Sequence, residues 1–358
     1  MSVKSELSLK DMRSALLDQM ITFLWRQWSS LGVLGESGTE DKWIIDPESL
    51  LIFSLQMGRY EPRLFDEILA WLTVNGQWLD TSRLKGMLSQ QDPSTVRVVG
   101  GSLQYMLAHG QERKWQNAVK LCQQLFEKQP TVDMGEPLFK EKSGKPHPIP
   151  PDKKFDQNFK LFRIYKPSFE VTREVKEVPV NSCSNLRFQL RALFGTGARS
   201  EALLYLLTHE GGRSRDMAEA VGMFWLTIHQ ALLELSRSGL VLTRSKGKKV
   251  EYWVSEKRWW EFLAAGSGEN SSRPKWLNWM AIFSALSTIW KTVDEVAASS
   301  KSEYMKGSKL QDSLEVLFQE FTRAGYDLPH LPTPGLPSDL HQKSALQFLS
   351  GVLDLSHG

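Results

Sequence analysis

The chain has 358 residues, of which 41% are hydrophobic and 24% charged, and its formal net charge is +3. This composition excludes a disordered protein, and the length allows two or three domains that each bury a core. The net charge averages over the whole chain, so it neither indicates nor excludes an anionic partner.

The cysteines and the N-terminus indicate a cytoplasmic protein. Cys122 and Cys183 lie in separate regions and neither belongs to a CxxC motif, which favours reduced thiols over a disulfide. The segment from Met1 to Lys10 is polar, unlike a signal peptide, and no apolar run is long enough to span a bilayer. We therefore expect no membrane partner.

Residues 1–130 are predicted to form a helical domain. Apolar residues recur at helical spacing from Leu9 to Leu31. Asp46 and Pro47 predict the start of a second helix, because an acidic cap is followed by proline at the first helical position. Further helices are expected after Pro62 and between Gly101 and Lys128.

Residues 131–185 differ in composition and are predicted to be a Pro-rich linker with short strands. Four prolines lie between Pro146 and Pro151 in a stretch rich in Lys and Asp. Alternating apolar residues favour strands at Phe159 to Tyr165 and at Phe169 to Val180. One possibility is that this segment donates a strand to the domain that follows.

Residues 186–265 contain the most specific pattern. A helix starting near Ala198 is expected to end before Gly211, and Ser214 is placed to cap a second helix. Gly222 permits a sharp turn into a third helix. The apolar residues of that helix fall at i, i+3, i+4 and i+7 and form one face: Ile228, Ala231, Leu232 and Leu235.

A basic hairpin is predicted next. The β-prone runs Leu240 to Thr243 and Val250 to Val254 flank a basic turn with Gly247 at its tip. This order of helix, turn, helix and basic hairpin, over about residues 198–260, resembles the winged helix-turn-helix domain of bacterial transcription regulators. The resemblance implies a small β-hairpin wing in the central domain. Together with the helical regions predicted on both sides, the expected fold class is mainly α.

The charge of this segment is consistent with a polyanion partner. Between Arg237 and Arg258 the chain carries seven basic and two acidic residues, a local charge of +5 against +3 for the whole protein. Such a concentrated basic stripe is expected where a protein neutralises phosphates. The resemblance therefore implies double-stranded DNA as the partner.

The outer half of the third helix supplies the candidate base contacts. Gln230 is expected to pair bidentately with adenine, and Thr227 or His229 to reach a phosphate or a base edge. The complete set of candidate DNA-binding residues is Ser214, Arg215, Trp225, Thr227, His229, Gln230, Arg237, Arg244, Lys246, Lys248 and Lys249.

The start of the third helix departs from the usual pattern and leaves a second function open. Such families commonly place small polar or basic residues there, whereas this chain has Phe224, Trp225 and Leu226. Apolar side chains at this point suit thymine methyl groups, but they equally suit another protein. The alternative function is therefore a winged helix interaction module in a multi-subunit assembly.

Residues 276–358 are predicted to be a C-terminal helical region after a flexible linker that begins at Gly266. The helix from Trp276 to Ala298 carries large apolar residues around its circumference and therefore needs a partner, either the N-terminal domain or a second chain. Because palindromic sites are usually bound by two-fold dimers, we expect a homodimer in which Trp279, Phe283 and Trp290 pack against the partner copy.

The sequence contains little that indicates a catalytic or cofactor site. The sequence has no Walker-type loop, no GxSxG, no HExxH and no paired-cysteine metal site. Its seven histidines are scattered and have no second ligand at a metal-binding spacing. We therefore expect neither an enzyme nor a cofactor.

Overall fold

The computed structural model describes residues 8–33, 43–109, 113–128, 135–148, 154–169, 175–247, 249–263, 273–300, 302–323, 328, 330–333, 335–336 and 338–354. Within these ranges it contains fifteen α-helices and two sheets of two strands each. The predicted mainly α fold class is confirmed.

Six helices form the N-terminal region: α1 (Leu9–Ser30), α2 (Pro47–Met57), α3 (Pro62–Asn75), α4 (Thr81–Leu88), α5 (Pro93–His109) and α6 (Gln116–Glu127). Asp46 caps α2 as predicted, since its carboxylate accepts a hydrogen bond from the backbone N–H of Ser49 at 3.2 Å. Leu16, Leu50 and Leu69 are fully buried in the core that these helices share.

The predicted linker segment packs onto these helices. Its short strands β1 (Glu136–Pro137) and β2 (Ile164–Tyr165) run parallel, and α7 (Gln157–Lys160) occupies part of the stretch predicted as a strand. Phe159 and Phe162 are fully buried against α5. They approach so closely because α5 carries glycine there: a Cβ on Gly100 would lie 2.4 Å from Phe162 and one on Gly101 2.5 Å from Phe159. The buried residues Leu138, Phe159 and Phe162 of this segment therefore belong to the N-terminal core.

Seven elements make up the central region: α8 (Leu186–Phe194), α9 (Ala198–Thr208), α10 (Ser214–Val221), α11 (Trp225–Arg237), β3 (Leu242–Lys246), β4 (Lys249–Trp253) and α12 (Glu256–Leu263). They surround a second core. The hairpin β3–β4 is antiparallel, and Gly212 adds an isolated bridge to Tyr252. No strand of residues 131–185 joins the wing within the described ranges. Residues 266–272 of the linker predicted to begin at Gly266 lie outside the described ranges.

Three helices form the C-terminal region: α13 (Trp279–Ala298), α14 (Glu303–Arg323) and α15 (Ser338–Leu353). The helix α13 packs against α1, α2 and α14, and α15 packs against α1.

The aromatic residues of α13 are therefore buried within their own chain. Trp279 lies 6.0 Å from Phe23 between ring centroids, and Phe283 lies 5.1 Å from Phe53. Trp290 meets the ring of Tyr60 edge-on at 5.2 Å. The prediction that Trp279, Phe283 and Trp290 pack against a second copy is wrong, because the N-terminal helices already cover them.

Candidate nucleic-acid interface

The helix-turn-helix of the central region is built on one small core. Leu203 of α9, Met217 of α10, and Ile228 and Leu232 of α11 are each fully buried. The turn from α10 to α11 passes through Gly222, whose φ of +68° is left-handed. The sequence therefore correctly identified both the inner face of α11 and the glycine turn that orients it.

One local prediction was wrong. Ser214 does not cap α10: it is the first helical residue, and the extended residue before it is Arg213. The guanidinium of Arg213 instead pairs with the Asp216 carboxylate at 2.8 Å, across the first turn of the helix. Ser214 itself is half-buried at this helix start, and Arg215 is exposed beside it.

The outer face of α11 is open to solvent. Thr227, Gln230 and Arg237 are exposed, and His229 is half-buried. The Gln230 side-chain amide donates a hydrogen bond to the Glu234 carboxylate at 3.1 Å, one turn further along the helix. A base-pairing role for Gln230 therefore requires this bond to be exchanged for one to a base edge.

The negative charge of Glu234 on this face is balanced by a residue outside the candidate DNA-binding set. Arg199 of α9 reaches across and its guanidinium binds the Glu234 carboxylate at 2.6 Å. Hydrogen bonds from Gln230 and Arg199 lower the pKa of the Glu234 carboxyl. The two residues are 35 positions apart, so no local sequence signal marks the pair.

The N-terminal end of α11 is apolar and exposed. Phe224 is 64% exposed, Trp225 37% and Leu226 48%. The guanidinium of Arg215 lies over the Trp225 ring, 5.4 Å from its centroid, and the centroid of the His229 ring lies 6.1 Å from that of Trp225. Arg215, Trp225 and His229 therefore form one surface where α10 and α11 begin.

The wing extends the same domain by a tight hairpin. Lys246 pairs with Lys249 in the strand register, and Gly247 has a left-handed φ of +62° in the turn between them. The predicted strands were thus placed too far from the turn, since residues assigned to a basic turn lie in β3 and β4. Lys249 is exposed, whereas Lys248 and the side chain of Lys246 lie outside the described structure. Arg244 is exposed and pairs with Glu251 at 2.9 Å.

A buried ion cluster holds this domain on the N-terminal helices. Its three acids and three arginines are each no more than 4% exposed: Asp46, Glu48, Arg83, Arg187, Arg191 and Glu201. Glu48 of α2 binds Arg83 of α4 at 2.6 Å and Arg191 of α8 at 2.7 Å. Arg191 also binds Glu201 of α9 at 2.7 Å. The cluster therefore links α2 and α4 to the first two helices of the central domain.

The carboxylates of the buried ion cluster are held in their charged form. Burial alone disfavours charge, but the attraction of Arg187 and Arg83 outweighs it and holds the pKa of Asp46 well below its usual range. Likewise, Arg191 and Arg83 overcome the burial of Glu48 and lower its pKa. The six charges balance formally, which is the condition under which buried ions are tolerated.

Membrane spans and metal sites are absent from the described part of the chain. No helix in the described ranges has the length and apolarity needed to cross a bilayer. Within the same ranges, no three His, Cys, Asp or Glu side chains are grouped to hold a metal ion. Cys122 is buried, which raises the pKa of its thiol to about 12.

Comparison with known proteins adds no relative. No family model, no curated protein and no solved structure matches the chain significantly.

Proposed function

We propose that this protein belongs to the class of winged helix proteins that bind duplex DNA. The order of its central elements supports this class: three helices on one core, a glycine turn before the third, and a hairpin carrying basic residues. We propose further that it is a cytoplasmic transcription regulator of the bacterial type, rather than an enzyme.

In this proposal the first turns of α11 enter the major groove. Gln230 pairs with adenine, and Thr227 and His229 contact a base edge or a phosphate. Ser214, Arg215 and Arg237 lie at the ends of α10 and α11 and bind phosphates beside the groove. In the wing, Arg244, Lys246, Lys248 and Lys249 neutralise the backbone.

One observation carries the proposal: the outer side of α11 and the basic wing are both exposed, and both are fixed to one small core. Thr227, Gln230 and Arg237 on the helix and Lys249 on the wing are accessible together. A duplex needs a reading element and a phosphate-binding element at the same time.

The test is the salt dependence of binding to random duplex DNA. The four basic residues of the wing together with Arg215 and Arg237 supply about six phosphate contacts, so the slope of log K against log salt should be about −5.4. Between roughly 50 and 200 mM salt the affinity should fall roughly 2,000-fold. Fluorescence anisotropy of a labelled duplex measures this. Absence of binding at the lowest salt, or affinity that salt leaves unchanged, contradicts the proposal.

The proposed DNA-binding form is a homodimer, since two-fold proteins read palindromic sites. The helices around Trp279 are not its interface, because α1 and α2 cover them. Light scattering of the full chain at micromolar concentration tests the dimer. A monomer mass both with and without DNA contradicts it.

The exposure of the α11 start favours a second candidate, a winged helix module that binds another protein. Phe224 and Leu226 are 64% and 48% exposed, and exposed apolar neighbours often mark protein contacts. Changing both to Ser separates the two functions. If α11 lies in the groove, the double variant loses affinity for duplexes that contain thymine. If DNA affinity is unchanged for every duplex, these side chains do not face DNA and the second candidate is favoured.

A further inference from the structure

A cavity of about 370 Å³ lies between α2, the junction of α4 and α5, and the first turns of α13. This volume is within the range of small-molecule sites in proteins. The cavity lies outside the proposed DNA-contacting surface and is formed by elements far apart in sequence, with Ile52, Met87 and Met280 among its walls.

Its lining combines an apolar wall with uncharged polar groups. Phe53, Phe283 and Met87 are buried and supply the apolar part. Among the described residues, Gln56 and Asn278 form side-chain hydrogen bonds only through the amide oxygen: Gln56 accepts from Ser287 Oγ at 2.8 Å, and Asn278 from the backbone N–H of Ala281 at 3.3 Å. Their amide NH₂ groups are therefore available to a ligand.

The charges at the cavity are already satisfied by each other. Lys291 binds Asp92 at 2.8 Å, and Asp92 also caps α5 through the backbone N–H of Thr95 at 3.1 Å. A charged ligand would have to break this pair to gain a new one. An uncharged ligand keeps it, and the free amide NH₂ groups can donate hydrogen bonds to the acceptor atoms on the edge of a nucleobase.

The same cavity wall touches the turn that leads into α11. A Cβ built on Gly222 would lie 2.4 Å from Met280 Sδ and 3.9 Å from Met87 Cε. The neighbouring Val221 carbonyl accepts a hydrogen bond from Arg83 Nε at 2.5 Å. Two methionines therefore have the cavity on one side and the helix-turn-helix turn on the other. Because Met280 packs so closely against Gly222, a ligand that displaces this side chain towards the turn also moves the turn.

We propose that this cavity is an effector site for an uncharged nucleobase or nucleoside. The flat base packs against the methionines, its edge pairs with the free amide groups, and binding shifts the turn at Gly222. The effect on DNA rests on the proposed function, whereas ligand binding at the cavity does not.

Methyl NMR of the full chain tests the site directly. The protein has 11 methionines, and single Met→Leu changes at Met87 and Met280 assign the two methyl signals. Adenosine, guanosine, cytidine and uridine are titrated separately. At least one of the four nucleosides should shift both methyl signals, and the shifts should saturate as its concentration rises. Ser284→Trp, which fills the cavity from its exposed rim, should weaken this binding by more than about tenfold, whereas Ser284→Ala should retain it.

Three results overturn the proposal. The first is that none of the four nucleosides shifts the Met87 and Met280 signals, and the second is that Ser284→Trp binds the nucleoside with the same affinity as the wild type. The third concerns coupling: the nucleoside that binds should change duplex affinity roughly 5- to 150-fold. If it binds while duplex affinity is constant, the cavity is not an effector site. If no duplex is bound at all, the proposed function fails, but the methyl signals still show whether a nucleoside binds at the cavity.

Discussion

Replacing Glu48 with Gln removes one charge from the buried ion cluster while keeping the shape of the side chain. The carboxylate accepts hydrogen bonds from Arg83 Nη1 at 2.6 Å, from Arg191 Nη1 at 2.7 Å and from the Asp80 backbone N–H at 2.7 Å. The variant leaves two buried arginines without their shared counter-ion and the cluster with an uncompensated positive charge. Loss of one partner from such a pair costs about 3–5 kcal/mol.

That cost is a large fraction of the stability of a folded domain, which is typically about 5–15 kcal/mol. Urea denaturation followed by tryptophan fluorescence measures it, and the midpoint should fall by roughly 1–2 M. Glu219→Gln is the matched control, since Glu219 is exposed on α10, and it should change the unfolding free energy by less than about 0.5 kcal/mol. If the two variants have the same midpoint, the buried ion cluster does not hold the central domain in place.

Three further predictions concern the same core and cluster. Leu232→Ala should lower the unfolding free energy by roughly 2–5 kcal/mol, whereas Gln230→Ala on the outer face should cost about 0.5 kcal/mol or less; the reverse order in urea melts would mean that α11 faces the other way. Gly222→Ala should cost about 1–3 kcal/mol, because its φ of +68° disfavours a side chain; a neutral effect in the same melts would show that the turn is not left-handed. On acidification, the stability that these two carboxylates contribute should be constant above their ordinary pKa values of 3.8 for Asp46 and 4.5 for Glu48 and should be lost below them, because both pKa values are lowered in the folded state; a contribution that grows on acidification would contradict this.

The parts of the fold that local sequence determines were predicted well. The start of α2 depends on Asp46 and Pro47 alone, and the turn at Gly222 depends on one residue that tolerates a left-handed φ. The buried face of α11 follows from helical periodicity, and Ile228 and Leu232 are indeed fully buried.

The parts that depend on distant partners could not be predicted. Periodicity showed that the helix around Trp279 needs a partner but not which one, and the structure places Phe23 of α1 there. The buried ion cluster is beyond local reasoning too, since Glu48 and Arg191 are 143 positions apart. The predicted cap of α10 was wrong for a local reason. Arg213 precedes the helix and pairs with Asp216 across the first turn, and Ser214 lies inside the helix.

The central claim, that the wing binds phosphate, is tested most directly by removing its charge. Lys246, Lys248 and Lys249 are changed together to Ala, and the control changes the exposed Lys10, Lys120 and Lys154, which removes the same charge elsewhere. Affinity for random duplex DNA is then measured against salt for both variants. The wing variant should bind every duplex more weakly and lose about 2.7 from the salt slope, which is about 0.9 for each lost contact, while the control keeps the wild-type slope. Equal slopes for the two variants would contradict the claim.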